Sequence, residues 1–431
     1  MRMKVAVIGG GISGMGAALA LADTHDVTLF EAERLGGHAN TVEARFGDRV
    51  VPVDTGFIVY NYRNYPNLTA LFEHLEVPTK WSDMSFGYSR DDGRFEYACD
   101  NLDKLFAQRW RALDPRHVTM LRQVLRFMKT SPGQLESGAL EGLSLGEYIA
   151  LQGFGDRFRD RFLVPMGGAI WSTPLAEMME FPAKNLVNFF VNHDLMTGLG
   201  DAQQWRTVDG GSREYVRRVE ARLGERIAIR RAVEVAEGQV GFEDGGTERF
   251  DQIILACHGP QALSLLGKTN ARQREILGAF RTSQNRAVLH SDTALMPKRR
   301  KVWSSWSVLD TGDPRQPAQL TYWMNRLQSL PRETPLFVTL NPVIEPDPAL
   351  VHSDHTYAHP LYDQRAFDGQ VQIDAIQGQG GIWYAGAWLG YGFHEDGLRS
   401  GLRVAEALGA RPDWVKDTGA PLGQGKTHAA A

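Results

Sequence analysis

The sequence predicts an α/β protein organised around its first 31 residues. An apolar run at 5–8 leads into a glycine-rich turn at 9–14, an alanine- and leucine-rich stretch follows at 15–22, and a second apolar run ends at Glu31. This order of strand, turn, helix and strand is typical of a Rossmann-like domain, in which the helix N-terminus faces the phosphates of a dinucleotide. A glycine turn alone is a weak signal, but here the strand, the helix and a spaced acid accompany it.

The residues of the glycine-rich turn have separate tasks in holding a diphosphate. Gly9 allows the tight turn, Gly11 lets the backbone approach the ligand, and Gly14 lets the helix pack closely on the strand. The helix amides that would face the anion begin at Ile12 and Ser13. We therefore expect this turn to bind the diphosphate.

Glu31 stands at the end of the second strand, twenty-two residues after Gly9. A carboxylate at this place accepts hydrogen bonds from an adenosine ribose and repels a 2′-phosphate, which favours FAD or NAD over NADP. The next residues, 32–38, contain a glycine pair whose backbone amides would close over the same diphosphate.

The run from Glu31 to Gly37 resembles the second signature of the flavin amine oxidase and phytoene desaturase superfamily. The resemblance implies the two-dinucleotide-binding-domain fold of the amine oxidase (GR2) type, with a Rossmann-like FAD domain and an inserted α+β substrate domain. His38 stands where many members of the superfamily have arginine. The resemblance favours FAD over NAD and implies FAD contacts from Ala32, Arg34, Gly36, Gly37 and His38.

Later motifs extend the resemblance toward the C-terminus. Residues 54–57 form an acid-x-glycine turn that in the superfamily lies beside the isoalloxazine, although an ordinary Asp-x-Gly turn is the alternative. A strand ending at Gly386 and a helix beginning near Asp396 resemble the C-terminal FAD motif. The FAD contacts implied by these motifs, with the backbone of Val233 at adenine, are Asp54, Thr55, Gly56, Phe57, Val233, Gly386, Glu395, Asp396, Gly397 and Leu398.

The signatures divide the chain into discontinuous domains. We expect the FAD domain at 1–80, 204–265 and 375–412, and the substrate domain at 81–203 and 266–374. The glycine- and alanine-rich residues 413–431 are expected to form a disordered tail.

Composition indicates a globular protein of two or three domains, because the 431 residues are 43% hydrophobic and 23% charged. A net charge of -4 gives no reason to expect nucleic-acid binding. With only two cysteines, we do not expect a disulfide framework. There is no signal-peptide pattern and no apolar run near eighteen residues. We expect a cytoplasmic protein whose contact with the inner face of the cell membrane is peripheral, and we expect no metal site.

Large apolar side chains are concentrated at 162–172 and 178–190, which suits a greasy substrate, although core packing is the commoner role of each residue. Strands at 302–309 and 319–324 add aromatic residues, of which half should face elsewhere because strand side chains alternate. The candidate substrate contacts are Tyr60, Trp171, Tyr322, Trp323 and Tyr391.

Residues 104–129 carry seven basic residues and one acid, with apolar residues interleaved. Such a segment can lie on an anionic bilayer, each cation contributing about 1 kcal/mol. The alternative is a pair of amphipathic helices that pack their apolar faces on the core. The candidate membrane contacts are Arg122, Arg126 and Lys129.

Residues 36–42, 54–61 and 65–68 resemble a narrower bacterial group of flavoproteins. That group is associated with cyclopropane and methyl-branched fatty acyl phospholipid synthesis and includes the flavin desaturase of furan fatty acid formation. The resemblance implies a methyl-branched acyl chain of a membrane phospholipid as substrate. It also implies hydride transfer from an activated C–H to flavin N5, with loss of a proton from the neighbouring carbon.

The sequence leaves the proton acceptor open among Tyr60, Asn61 and His394, each of which also has a structural role available. A flavin amine oxidase acting on a soluble amine, a carotenoid-type desaturase, and a non-redox role for the flavin remain as alternatives. The electron acceptor and the assembly are not determined by these patterns; dioxygen and a homodimer are the candidates.

Overall fold

The computed structural model describes residues 2–171, 177–192, 204–311 and 318–419. Ser172 of the predicted apolar run and residues 420–431 of the predicted tail lie outside the described residues.

The described residues contain twenty β-strands. In chain order they are β1 (Lys4–Ile8), β2 (Asp26–Glu31), β3 (Thr41–Phe46), β4 (Arg49–Asp54), β5 (Tyr60–Asn61), β6 (Thr79–Ser82), β7 (Phe86–Arg90), β8 (Phe95–Ala98), β9 (Trp205–Val208), β10 (Ile227–Ile229), β11 (Ala232–Ala236), β12 (Gln239–Phe242), β13 (Thr247–Arg249), β14 (Gln252–Leu255), β15 (Arg281–His290), β16 (Trp306–Asp310), β17 (Gln319–Trp323), β18 (Phe337–Leu340), β19 (Val351–Leu361) and β20 (Ile382–Tyr384).

The same part of the chain holds fourteen α-helices. They are α1 (Ile12–Leu21), α2 (Pro66–His74), α3 (Leu102–Leu105), α4 (Pro115–Glu136), α5 (Leu145–Leu151), α6 (Asp156–Phe158), α7 (Val164–Trp171), α8 (Ala183–Asn192), α9 (Arg213–Leu223), α10 (Gly259–Leu265), α11 (Ala271–Leu277), α12 (Met324–Leu327), α13 (Gln364–Gln372) and α14 (His394–Ala407).

A five-stranded parallel sheet, in the order β10-β2-β1-β14-β20, forms the first layer of the fold. Its strands are short apolar runs because helices cover both faces of the sheet. Helix α14 lies directly on α1, and a Cβ on Gly401 would stand 2.1 Å from the carbonyl oxygen of Ser13. Glycine at this position therefore allows the two helices to approach closely.

A seven-stranded mixed sheet, in the order β19-β15-β18-β17-β16-β7-β8, forms the second large layer. Trp306 on β16 lies opposite Tyr322 on β17, and their rings meet edge to face with 5.2 Å between centroids. The adjacent residue Trp323 packs on Trp303 instead, since successive strand side chains point to opposite faces. Helices α4, α5, α7 and α8 share one hydrophobic core with this sheet.

Two segments differ from the sequence-based division of the chain. Helices α11 and α13, which the sequence assigns to the substrate domain, share a hydrophobic core with the parallel sheet. Residues 413–419, expected to be disordered, lie against α2: Trp414 stacks on His74, and the Lys416 amide donates to Asn67 Oδ1 at 3.0 Å. The sequence of a short amphipathic helix, or of a segment with one aromatic residue, does not show which surface of the protein it packs against.

Candidate functional site

A cavity of about 1610 Å³ opens at the carboxyl ends of the parallel strands. Its lining includes 8–13 after β1, 30–32 at the end of β2, 256–258 after β14 and 386–388 after β20. In open α/β sheets ligands bind at this edge. The volume exceeds the 300 to 1,000 Å³, roughly, of a pocket for one small ligand, so there is room for a cofactor and a substrate together.

The glycine turn between β1 and α1 has the geometry of a diphosphate loop. A Cβ on Gly11 would meet no atom within 4 Å, whereas a Cβ on Gly14 would stand 1.9 Å from the carbonyl oxygen of Gly9. Gly11 thus faces open space in the cavity and Gly14 serves close packing. No side chain caps the N-terminus of α1, so the amides of Ile12 and Ser13 remain directed at the cavity they line.

Glu31 lines the cavity at the end of β2. Its carboxylate accepts the amide of Gly10 at 2.7 Å and the amide of Glu33 at 3.0 Å, which fixes the orientation of the group. Its remaining lone pairs are available to hydroxyl groups, as expected for a ribose partner. Ala32 lines the cavity beside it.

Arg34 and Val233 do not line the cavity, contrary to the sequence prediction. The Arg34 guanidinium donates to the carbonyl oxygens of Leu35, Ala39 and Gly37, so it braces the turn that carries Gly36, Gly37 and His38. Val233 is 47% exposed on β11, and residues 230–232 line the cavity in its place.

Asp54 is fully buried away from the cavity, while Thr55, Gly56 and Phe57 line it. The Asp54 carboxylate accepts the amide of Ser212 at 2.9 Å, the hydroxyl of Thr41 at 2.6 Å and the amide group of Gln328 at 2.7 Å. Burial raises the pKa of Asp54 to about 6, and the hydrogen bonds from Thr41 and Ser212 oppose the rise. Asp54 therefore ties together segments distant in sequence and does not line the cavity.

Gly386 of the C-terminal motif lines the cavity, whereas the acidic residues of the motif, Glu395 and Asp396, do not. Glu395 accepts the amides of Asn67 and Leu68 at 3.0 and 2.9 Å and so caps α2. Asp396 accepts the amides of Tyr391 and Phe393, both at 3.0 Å. The predicted contacts Glu395 and Asp396 thus position the start of α14 and do not line the cavity.

Gly397 and Leu398 also lie outside the cavity lining. A Cβ on Gly397 would stand 2.9 Å from the side chain of Ile12, and Leu398 packs over Gly16. Both residues seat α14 on α1, because a helix that crosses so closely needs one small residue at each contact.

His394 is the one candidate proton acceptor that lines the cavity. Its ring stacks on Phe57 with 3.8 Å between centroids, and Tyr215 Oη is 3.1 Å from its Nε2. Burial lowers the pKa of His394 to about 3, which keeps the ring neutral. Tyr60 and Asn61 are buried on β5 and do not line the cavity, so their predicted contact with substrate or flavin is not found.

A family model described as flavin containing amine oxidoreductase matches residues 12–325. The chain belongs to this family. It is therefore an FAD-dependent oxidoreductase. The residues fit this cofactor, because the turn at Gly11 leaves open space and the buried Nε2 of His38, a cavity-lining side chain, has no hydrogen-bond partner among the described residues.

Solved structures with the same fold act on different compounds. The CLA-producing fatty acid isomerase from P. acnes has 14% sequence identity and a TM-score of 0.65 over 93% of this chain and 97% of its own. Putrescine oxidase bound to putrescine has 16% identity and a TM-score of 0.66 over 95% and 100%. Cyclohexylamine oxidase from Brevibacterium oxydans IH-35A has 16% identity and a TM-score of 0.64 over 95% and 99%. No curated protein matches the chain.

Beyond the FAD region the oxidoreductase cavity continues between the mixed sheet and the helices. Of the predicted substrate contacts, Trp171, Tyr322 and Tyr391 line this part, and Trp323 does not, because it faces the other side of β17. Tyr391 Oη accepts from Asn188 Nδ2 at 2.8 Å. The remaining wall is mainly apolar and includes Phe162, Met166, Ile170, Phe189, Trp306, Leu327, Leu340 and Phe393.

The lining residues that were not predicted include His258, Tyr357 and His359. His359 lies on β19, and the edge position of that strand brings the residue to the cavity. A histidine directly after the apolar run of β14 was the available signal for His258. In the part of the chain that the structure describes, no cluster of three or more His, Cys, Asp or Glu residues is arranged to hold a metal ion.

The cavity has an apolar mouth, formed by Trp81, Leu102 and Leu125, which are 53%, 62% and 64% exposed, together with Arg122. Arg122, Arg126 and Lys129 are all exposed on α4. Arg126 differs in that its guanidinium donates to the carbonyl oxygen of Gln152 and lies 4.3 Å from the ring centroid of Phe154. Across the described residues, no helix is long and apolar enough to cross a bilayer.

Proposed function

We propose that this oxidoreductase desaturates a methyl-branched acyl chain of a membrane phospholipid, in the formation of furan fatty acids. One observation carries the proposal: the cavity continues from the FAD region through an apolar wall to an exposed apolar mouth. A long hydrocarbon chain matches such a lining, because every methylene placed there leaves water. The fold shared with a fatty acid isomerase agrees with an acyl substrate.

When bound, FAD supplies the two-electron oxidant for the C–H bond of the substrate. The protein residues orient the chain and keep water away. Phe162, Ile170 and Phe393 line the interior, and the neutral ring of His394, stacked on Phe57, closes one wall. A group whose pKa burial lowers to about 3 is a weak proton acceptor, so we assign His394 to positioning.

A soluble cationic amine fits this lining less well. The acids that line the cavity are Glu31, Asp83 and Asp100. Glu31 lies in the glycine-turn region, and the other two form ion pairs with Arg326, at 2.7 and 3.2 Å. Beyond the glycine-turn region, an ammonium group would thus meet no lining carboxylate, among the described residues, that lacks an ion pair. Its burial there costs several kcal/mol of desolvation, roughly.

The mouth is the side on which the protein would meet a bilayer. Exposed Leu102 and Leu125 can enter the acyl boundary, while Arg122 and Lys129 approach anionic headgroups. The acids of the same region are occupied: Asp103 pairs with Arg109 and Lys301, and Asp114 with Arg111 and Arg157. The resulting balance of charge favours an anionic surface.

The test uses the purified yellow protein without oxygen. Phospholipid vesicles whose acyl chains carry a methyl branch should bleach the flavin absorbance, and mass spectrometry should find a lipid that has lost two hydrogens. Vesicles of saturated, unbranched lipid are the matched control and should leave the flavin oxidised.

A second experiment tests whether the protein oxidises amines. Putrescine and cyclohexylamine, supplied with oxygen, should yield no hydrogen peroxide above the rate without substrate. Rapid peroxide release with either amine, and no bleaching by branched lipid, would overturn the proposal.

A further inference from the structure

Three histidines from separate segments meet at the diphosphate end of the FAD cavity. His38 follows the glycine pair, His258 follows β14, and His359 lies on β19. The ring centroid of His38 is 6.0 Å from that of His258 and 5.2 Å from that of His359. All three side chains line the cavity, so an anion in this corner would contact several of them.

The histidines flank the glycine turn. A Cβ on Gly37, the residue before His38, would stand 3.3 Å from the Cα of Gly11. A Cβ on Gly9 would stand 2.8 Å from the carbonyl oxygen of Ala256, two residues before His258. The segments that carry His38 and His258 therefore lie beside the glycine turn, where the helix amides of α1 face an anion.

Tyr357 packs against two of the three histidines. Its ring centroid is 5.2 Å from that of His38 and 6.3 Å from that of His359, so the three rings form a triangle. Its hydroxyl oxygen accepts from Asn40 Nδ2 at 2.7 Å and is 2.6 Å from Thr55 Oγ1. With the hydroxyl engaged in this way, the histidines are the polar groups left to face the ligand.

We propose that His38, His258 and His359 form a seat for the FAD diphosphate and take up protons when the cofactor binds. The buried Nε2 of His38, which no described residue contacts by a hydrogen bond, is the donor that such an anion would receive. The histidines supply by protonation the positive charge that a fixed arginine would carry at position 38.

The electrostatic surroundings agree with proton uptake. Burial, and next the neighbouring His359 and His258, hold the pKa of His38 well below its ordinary value, and burial lowers that of His359 to about 4 and also lowers that of His258. A diphosphate beside the rings outweighs the repulsion among protonated histidines and raises each pKa.

The other titratable groups near His38 do not take up a proton when the diphosphate binds. Arg34 is a fixed cation that braces the turn, and His394 remains neutral because burial lowers its pKa to about 3. Glu31 is held by the amides of Gly10 and Glu33, and burial raises the pKa of the Cys257 thiol to about 12, so it stays protonated.

The linkage between proton binding and FAD binding determines whether the affinity for FAD rises or falls with pH. Histidines that are neutral in the free protein and protonated in the complex make FAD bind more tightly as pH falls. Each proton taken up contributes up to about tenfold in the dissociation constant per pH unit.

The experiment dilutes the holoprotein between about pH 8 and pH 6, where histidine titrates, and measures released FAD by its fluorescence. The dissociation constant should fall at least about tenfold over this range. His38→Arg should bind tightly at pH 8 and lose part of the dependence on pH, whereas His38→Gln should bind weakly throughout and also lose part of it. His355→Gln, on the same strand as His359 but outside the cavity lining, should follow the parent curve.

Competition with ADP separates the diphosphate from the isoalloxazine. The ratio of the adenosine concentration to the ADP concentration that displaces half of the FAD should rise as pH falls, because only ADP carries the diphosphate. An affinity for FAD that does not change with pH, an unchanged pH dependence in both His38 variants, or a ratio of adenosine to ADP that stays constant with pH would each overturn the proposal. These outcomes concern cofactor binding alone and leave the proposed acyl substrate unaffected.

Discussion

The carboxylate of Asp54 accepts hydrogen bonds from both the backbone amide and the hydroxyl of Ser212, at 2.9 and 2.8 Å, across 158 positions of the chain. This contact joins the end of β4 to the start of α9. Both residues are buried, so no solvent replaces the contact when it is lost.

Asp54→Asn should lower the free energy of unfolding by about 3 kcal/mol, because the new amide group would set a donor against the donors of Ser212 or Gln328. The midpoint of urea denaturation measures the change. Thr41→Val, which removes one donor to the same carboxylate and the acceptor of the Arg213 amide, should cost less, about 2 kcal/mol. Equal midpoints for Asp54→Asn and the parent would contradict the structural role of Asp54.

Gly11→Val should fold and lose FAD. The valine has space in the protein, since nothing lies within 4 Å of a Cβ there, but it fills the place of the diphosphate. The ratio of flavin absorbance to protein absorbance in the purified variant gives the result. Gly133→Val is the matched control, because a Cβ at Gly133 also meets nothing within 4 Å and lies outside the cavity lining.

The same preparation tests the mode of attachment. We predict non-covalent FAD, so acid precipitation should release the flavin into solution. Stoichiometric FAD in Gly11→Val would refute the assignment of the loop, and flavin retained in the acid pellet of the parent would refute non-covalent binding.

Met166→Trp should block oxidation of long acyl chains while FAD content remains that of the parent. Met166 lines the apolar section of the cavity on α7, and an indole there occupies volume that the chain needs. Anaerobic flavin bleaching by branched phospholipid, expected to be at least about tenfold slower, measures the effect; that factor corresponds to about 1.4 kcal/mol. Met166→Leu preserves volume and should act as the parent does; equal bleaching rates in both variants would place the substrate elsewhere.

Arg122→Gln combined with Lys129→Gln should weaken binding to anionic vesicles by about 2 kcal/mol, since each headgroup cation contributes about 1 kcal/mol. Cosedimentation in low salt measures the affinity, which should fall as salt rises because the Debye length shortens. Arg249→Gln combined with Lys268→Gln removes the same charge from exposed positions on another part of the surface. Equal loss in both double variants would show attraction by net charge instead of docking through the mouth.

His290 should make the protein labile to acid. Its Nδ1 accepts the amide of Asp292 at 3.1 Å and its Nε2 is 2.7 Å from Thr339 Oγ1, an arrangement that requires the neutral ring. Burial lowers the pKa of His290 to about 4. The unfolded residue gains its proton near pH 6.5, roughly, so about 3 kcal/mol of stability is present above that value and is lost as pH falls toward 4.

Urea denaturation at a series of pH values checks this prediction. His290→Gln should reduce the slope of unfolding free energy against pH by up to about 1.4 kcal/mol per unit. His74→Gln, at an exposed position, should leave the slope unchanged. A parent slope that persists in His290→Gln would assign the lability to other groups.

Contiguous motifs were sufficient to predict the cofactor loop and the class of fold. Gly9, Gly11, Gly14 and Glu31 belong to one strand-helix-strand unit, whose backbone geometry is local and whose glycines have no alternative role at that spacing. The parallel pairing of β1 with β2 follows from the same unit. Family membership then makes the cofactor FAD.

Only the tertiary structure decided which residues of a motif face the ligand. Asp54 and Glu395 belong to FAD signatures but turn to Ser212 and Asn67, while His359 reaches the cavity from a segment with no signature. The sequence determined the strand, the turn and the types of residue available at this site. The direction of each side chain depends on which distant element packs beside it, since a buried carboxylate must turn to the nearest unpaired donors, and those donors come from elsewhere in the chain.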